Sequence, residues 1–188
     1  MLRFPETSIG IYPGLGGTQR ATRVCGIEAA RFAVLAGNFI DAPTARALGF
    51  ITHLVDPSEV SDTVSVVASS GKPDDKYPGR PWNPSHPVSR MSKVFYSDTN
   101  MGTILSGEVP EGFDPEDKNV SRQLKSISRA APVAVRLASD LLDKALSTDL
   151  AAGLQLELDA LDEIFATQDA CEGLTALVEG RRPEYVGS

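Results

Sequence analysis

Cysteine, histidine and positive charge are scarce in this chain of 188 residues. Its two cysteines, Cys25 and Cys171, stand far apart and fit no metal spacing, and His53 and His86 have no partners at ligand spacing. A disulfide framework and a resident metal are therefore not expected, and the thiols are read as reduced, in a cytosol. Lys and Arg total 18 against 25 Asp and Glu, for a net charge of −7. That balance argues against a nucleic-acid surface but leaves room for a local basic pocket. No apolar run approaches the ~18 residues of a membrane span, and no signal-peptide pattern opens the chain. The expected location is cytoplasmic, with neither membrane nor nucleic acid as a partner. No internal repeat is visible.

What the chain does have is a glycine-rich opening. Phe4-Pro5-Glu6 is followed by Gly10-Ile11-Tyr12-Pro13-Gly14-Leu15-Gly16-Gly17-Thr18-Gln19-Arg20. This places a carboxylate before a short apolar run, expected to be strand-like because Ile9 and Ile11 alternate with Gly10 and Tyr12. Gly14, Gly16 and Gly17 then let the backbone turn tightly and approach another group closely. A helix opening at Thr18 would offer unpaired N–H groups and a partial positive charge. An acid facing such a turn suits chemistry on a carbonyl compound. The same residues also describe a plain strand, turn and helix with a solvated Glu6. The pattern is not a nucleotide loop: it lacks the third glycine of the dinucleotide fingerprint and the Gly-Lys-Ser/Thr ending of a P-loop.

Further along, helices are expected over residues 18–25 and 27–36, the second stopped by Gly37. Asp41 caps a short helix with Pro43 in its first turn, which Gly49 ends. Phe50 to Val55 is apolar and β-branched enough for a strand. Asp56-Pro57-Ser58-Glu59 reads as cap, proline and capping-box acid. Residues 71 to 115 hold seven of the 13 prolines, Pro73, Pro78, Pro81, Pro84, Pro87, Pro110 and Pro115, together with Trp82, His86, Phe95 and Tyr96. A long irregular insertion is expected there. Helical spacing returns at Val120, Leu124, Ile127 and Ala131, and Pro132 starts another helix. Thr148 or Asp149 caps a third, with Leu150, Leu154, Leu158, Leu161 and Phe165 as its stripe and Glu157 on its polar remainder. A last helix over about Asp169 to Gly180 should turn Ala170, Leu174 and Leu177 inward.

The run FPETSIGIYPGLGGTQRATRVCGIEAARFAVLAGNFIDAPTARALGFITHLVDPSEV resembles the crotonase family, the enoyl-CoA hydratases and isomerases. That family carries a Pro-Glu pair, then Gly-x-x-Pro-Gly-x-Gly-Gly-Thr-Gln-Arg. The closing run FATQDACEGLTALVEGRRPEY resembles its C-terminal helices. The resemblance implies an α/β crotonase-like fold, here partial: the end of the ββα spiral core plus C-terminal helices, predominantly helical. It divides the chain into residues 1–60 of the core, a Pro-rich insertion over 61–118, and a helical oligomerisation region over 119–188. It also implies a C-terminal piece of a longer protein, because the family's oxyanion donors and second catalytic carboxylate precede the stretch matching Phe4.

By this resemblance Glu6 is a catalytic carboxylate that exchanges a proton during hydration of a 2-enoyl-CoA in β-oxidation. The family's isomerases keep the same position as a proton shuttle, so Δ3-Δ2-enoyl-CoA isomerisation remains open. A non-catalytic oligomerisation or binding module is the alternative of another class. Pro13, Gly14, Leu15 and Gly16 would shape the substrate-binding turn. Coenzyme A enters only as part of the acyl-CoA substrate. The family's adenine and phosphate contacts on the last helix stand here as Leu177 and Gly180, which leaves Arg181 and Arg182 as CoA-phosphate candidates or as a solvated basic end. The implied partners are an acyl-CoA and further copies of the chain in a trimer-type assembly. The helical C-terminal run looks most like versions fused behind a 3-hydroxyacyl-CoA dehydrogenase domain. NAD would belong only to such a dehydrogenase, and no cofactor to this domain.

Overall fold

The computed structural model describes residues 1–70 and 83–188. A 3₁₀ turn over Glu6–Ile9 leads into α1 (Gly17–Cys25), α2 (Ile27–Val34) and α3 (Ala42–Ala47). Then come α4 (Val60–Ser69), α5 (Pro87–Phe95), α6 (Asp98–Leu105) and α7 (Lys118–Ile127). The chain closes with α8 (Pro132–Lys144), α9 (Leu150–Asp159), α10 (Leu161–Phe165) and α11 (Gln168–Glu179). Among the described residues, β pairing is confined to one antiparallel bridge between Leu2 and Ile40.

The capping signals are met. Asp41 Oδ1 accepts from Thr44 N at 2.8 Å, Asp149 Oδ1 from Ala152 N at 2.8 Å, and Asp56 and Glu59 close the expected capping box. Two strand expectations are not met. Residues 6–9 wind into the 3₁₀ turn, closed by Ser8 N on Pro5 O at 2.9 Å and by Gly10 at φ +86°. Residues 50–55 form no ladder, because apolar alternation makes a strand only where another strand pairs with it. The Pro-rich stretch is also more regular than expected. Pro87 sits in the first turn of α5, where its missing N–H breaks no helical bond. Phe95 and Tyr96 are fully buried, with ring edges packed on each other at 5.1 Å and on Phe113 and Phe32 at 5.1 and 6.0 Å. Pro73, Pro78, Pro81 and Trp82 lie outside the described residues.

The core is built on α2 and α8. Ala30, Ala33 and Val34 on α2, and Ala134, Ala138 and Leu142 on α8, are fully inaccessible. Small alanines let these helices approach closely. Arg31, also buried, ties the layers together: it pairs with Asp98 of α6 and Asp143 of α8 at 2.7 Å each and donates to Tyr96 O at 3.0 Å. Helix α4 is the opposite case. It has no buried residue, and Val60, Val64, Val66 and Val67 are exposed.

The expected leucine stripe of the C-terminal helices is divided, with Leu154 and Leu161 partly buried. The run breaks at Ala160, and its buried side holds Gly153, Glu157 and Ile164, while Leu150, Leu158 and Phe165 are exposed. On α11 the inward residues are Ala170, Gly173 and Ala176, and Leu177 is exposed. Close approach decides both. A Cβ on Gly173 would run into the Ile9 carbonyl, and one on Gly10 into the backbone at Asp169. Only small residues fit where α11 meets the 3₁₀ turn.

Candidate functional site

Glu6 stands on a turn that is held on three sides. Thr7, buried beside it, donates through Oγ1 to Val34 O at 3.3 Å and accepts from Ala131 N at 3.0 Å. Tyr185 Oη donates to Ser8 O at 2.8 Å. Tyr185 is in turn fixed by the C-terminal tail, whose Val186 and Gly187 amides donate to the buried Asp169 carboxylate at 2.8 and 2.9 Å. The burial of Tyr185 near Asp169 and Glu172 pushes its phenol up to about 12.

The Glu6 carboxylate itself is only partly buried, yet its Oε2 is inaccessible and has no hydrogen-bond partner among the described residues. Burial raises its pKa, against the opposing pull of its own backbone N–H and of Arg3. A carboxyl group in this state holds a proton more readily than one in water and has a vacant lone pair with which to take one.

The glycine bend follows directly. Ile11 N donates to Glu6 O at 3.1 Å, which folds the chain back toward the bend, and Phe4 touches the position of a Cβ on Gly17. Pro13 and Gly16 are buried; Gly14 is partly exposed, and a Cβ there would meet open space. Leu15 is 98 % exposed at φ +55°, so it stands at the tip of the bend rather than against a wall of this chain. Its carbonyl accepts from Arg20 Nη1 at 2.7 Å. Gly16 at φ +88° caps α1, whose amide groups point at Glu157.

Glu157 is the residue the sequence did not single out. It is 3 % exposed, and its carboxylate accepts from Gly16 N at 2.5 Å, Thr18 N at 3.0 Å, Thr18 Oγ1 at 2.5 Å and Gln19 N at 3.3 Å. Tyr12 Oη donates to the Glu157 carbonyl, and burial with the nearby carboxylates of Glu157 and Glu163 pushes that phenol up to about 12. Gln19 extends the network, donating to Leu141 O at 2.9 Å and accepting from Arg23. The readable signal is the spacing of Gly153, Glu157, Ala160 and Ile164, which places an acid on the same helix stripe as small and apolar residues.

The cationic end of α11 is largely spoken for. Arg181 makes a bidentate pair with Glu172 at 2.5 and 2.8 Å and meets Glu179 at 2.6 Å. The Arg181 hydrogen bonds and the Glu184 amide draw the Glu172 pKa down to about 2. An open groove of about 520 Å³ lies here, lined by Asp169, Cys171, Glu172, Thr175 and Arg181 among others, and its Asp169, Glu172 and Arg181 already have partners. Arg182 is exposed. His53 is exposed and His86 partly buried, and no cluster of three or more His, Cys, Asp or Glu among the described residues could hold a metal ion. Among the described residues no helix is long and apolar enough to cross a membrane.

Known proteins resemble this chain in sequence and in fold. The chain is 25 % identical over 180 residues to the short-chain-enoyl-CoA hydratase of Clostridium acetobutylicum, covering 96 % of this chain and 48 % of that protein. It is 26 % identical over 182 residues to the crotonyl-CoA hydratase of Syntrophomonas wolfei, covering 97 % and 48 %. The methylglutaconyl-CoA hydratase of Mus musculus is also 26 % identical, over 97 % of this chain and 41 % of that protein. The crystal structure of a carnitinyl-CoA dehydratase from Mycobacterium thermoresistibile superposes with a TM-score of 0.68 at 18 % identity, over 96 % of this chain and 52 % of that one, and so shares its fold. The chain spans about half the length of the curated relatives it matches. The family model described as enoyl-CoA hydratase/isomerase matches residues 1–186, and with that coverage the chain belongs to the enoyl-CoA hydratase/isomerase family.

Proposed function

We propose that Glu6 is an acid/base of an enoyl-CoA hydratase. It would exchange a proton while water adds across the 2,3-double bond of an acyl-CoA, hydroxyl to C3 and proton to C2. The observation that carries this is the Glu6 carboxylate, whose inaccessible Oε2 has no partner among the described residues and whose pKa is raised by burial. A carboxyl group whose pKa is raised by burial is better matched to giving and taking a proton than one in water. Gly14, with open space where a side chain would stand, is the backbone position proposed to lie beside the reacting water and acyl group, with Pro13, Leu15 and Gly16 shaping it.

The thioester enolate needs oxyanion donors aimed at its developing charge. The family resemblance assigns these, and the second carboxylate, to sequence preceding the matched stretch, so the proposed activity is that of a protein supplying them. Arg182 is the better CoA-phosphate candidate, because Arg181 would have to leave two carboxylates to reach a phosphate. The exposed Leu150, Leu158, Phe165 and Leu177 support self-association, proposed as trimer-type, along the outer faces of α9 to α11. A cytoplasmic location and fusion to a 3-hydroxyacyl-CoA dehydrogenase domain belong to the same proposal.

Crotonyl-CoA tests it. The complete protein should bleach the enoyl absorbance band, Glu6→Gln should stop it, and the 188-residue chain alone should show little or none. Undiminished hydration by Glu6→Gln would remove Glu6 from the mechanism. Activity on a 3-enoyl-CoA without hydration would favour the isomerase.

A further inference from the structure

We propose that Glu157 is a positioning residue, which suspends the Pro13–Gly16 bend from α9 and thereby sets where Gly14 stands. Its significance for catalysis rests on the hydratase reading above; the anchoring itself does not.

The geometry is a stirrup. Ahead of the bend, Tyr12 Oη is bonded to the Glu157 carbonyl. After it, Gly16 N, Thr18 N, Thr18 Oγ1 and Gln19 N converge on the Glu157 carboxylate. The other hydrogen bonds of the bend close it on itself or on α1: Gly17 N to Gly14 O at 3.0 Å, Thr18 N to Pro13 O at 3.4 Å, and Arg20 to Leu15 O. Among the described residues, then, the hydrogen bonds that tie residues 12–18 to a distant element run through Glu157.

The chemistry requires an anion. Every group aimed at the carboxylate is a donor, and three of them are amides at the start of α1, where the helix carries its positive end. Glutamine can keep its oxygen where Oε1 receives Thr18 and Gln19, but it would then turn its N–H₂ toward Gly16 N and lose that bond. Aspartate is one methylene shorter. Gly153, one turn before Glu157, brings α9 close enough for the reach, because a Cβ there would collide with Gln19. A bend displaced by about 1 Å costs on the order of 10²-fold in rate when it places a reacting group.

Amide hydrogen exchange on the chain as it stands tests the anchor without any activity. In Glu157→Gln the Gly16 amide, which loses its acceptor, should exchange at least about 10-fold faster, while the buried amides of α2 and α8 stay within about twofold. Unchanged rates at the bend would overturn the proposal. So would equal acceleration throughout α2 and α8, the sign of a general stabiliser. Glu157→Ala removes both oxygens and should accelerate the Gly16, Thr18 and Gln19 amides about 100-fold; should it fail to fold, the glutamine variant still decides. In the complete protein, Glu157→Gln should lower kcat for crotonyl-CoA about 10-fold or more with KM within about threefold. Faster exchange with an unchanged kcat would refute the catalytic part. A wild type that does not hydrate crotonyl-CoA would sink the hydratase reading and leave the exchange result to judge the anchor.

Discussion

Glu6 and Glu157 flank one bend and are opposites. Glu6 has an inaccessible carboxylate oxygen with no partner among the described residues and a raised pKa. Glu157 is more deeply buried, and its carboxylate is saturated by backbone and hydroxyl donors. Burial alone does not decide what a carboxylate does. The donors around it do: an under-satisfied acid is poised to move a proton, and a saturated one holds other groups in place.

Exchanging the acids' side chains should expose the difference, most strongly in catalysis. Glu6→Gln in the complete protein should cut hydration of crotonyl-CoA by about 10²–10⁴-fold, the range for a lost acid/base, measured by loss of the enoyl band. Next in size is stability. Glu157→Ala leaves a cluster of buried donors unmet and should cost about 3 kcal/mol or more by urea unfolding. If Glu6→Ala cost as much, the contrast between a poised and a structural acid would be lost. Gly153→Ala should cost about 1–3 kcal/mol, because the added methyl forces Gln19 off Leu141 O.

Removing one hydroxyl from the Glu6 side is a smaller test. Tyr185→Phe loses the bond to Ser8 O and should cost about 0.5–1.5 kcal/mol. The finest discriminator is pH. Because folding raises the Glu6 pKa above its ordinary 4.5, the folded state binds more protons there, and this group's contribution to stability falls as pH rises through that window. The Tm of Glu6→Gln minus that of the wild type should therefore be higher at pH 7 than at pH 4. Glu172 has the opposite sign: with its pKa drawn down to about 2, its contribution is full above 4.5 and is lost as pH falls toward 2.

The local signals were the legible ones. Asp41, Asp56 and Asp149 cap helices because a cap needs only its own next few residues. Pro132 opens a helix for the same reason, whereas Pro87, in a stretch whose proline density points to irregular chain, opens one as well. Faces were not legible in this way. Leu158 and Leu177 are more apolar than Glu157 and Gly173, yet the latter pair is buried, because the close approach of α9 and α11 to the bend and the 3₁₀ turn admits only small groups and a well-bonded acid. Residues 50–55 have the composition of a strand without forming one, because pairing is not a property of the segment.

By itself the sequence determined the order and ends of most helices, the glycine bend and the position of an acid before it, because each is written in residues a few places apart. The tertiary structure decided which acid is satisfied and which is not. Glu6 and Glu157 lie far apart along the chain, and what separates their chemistry is the set of donors that packing brings to each.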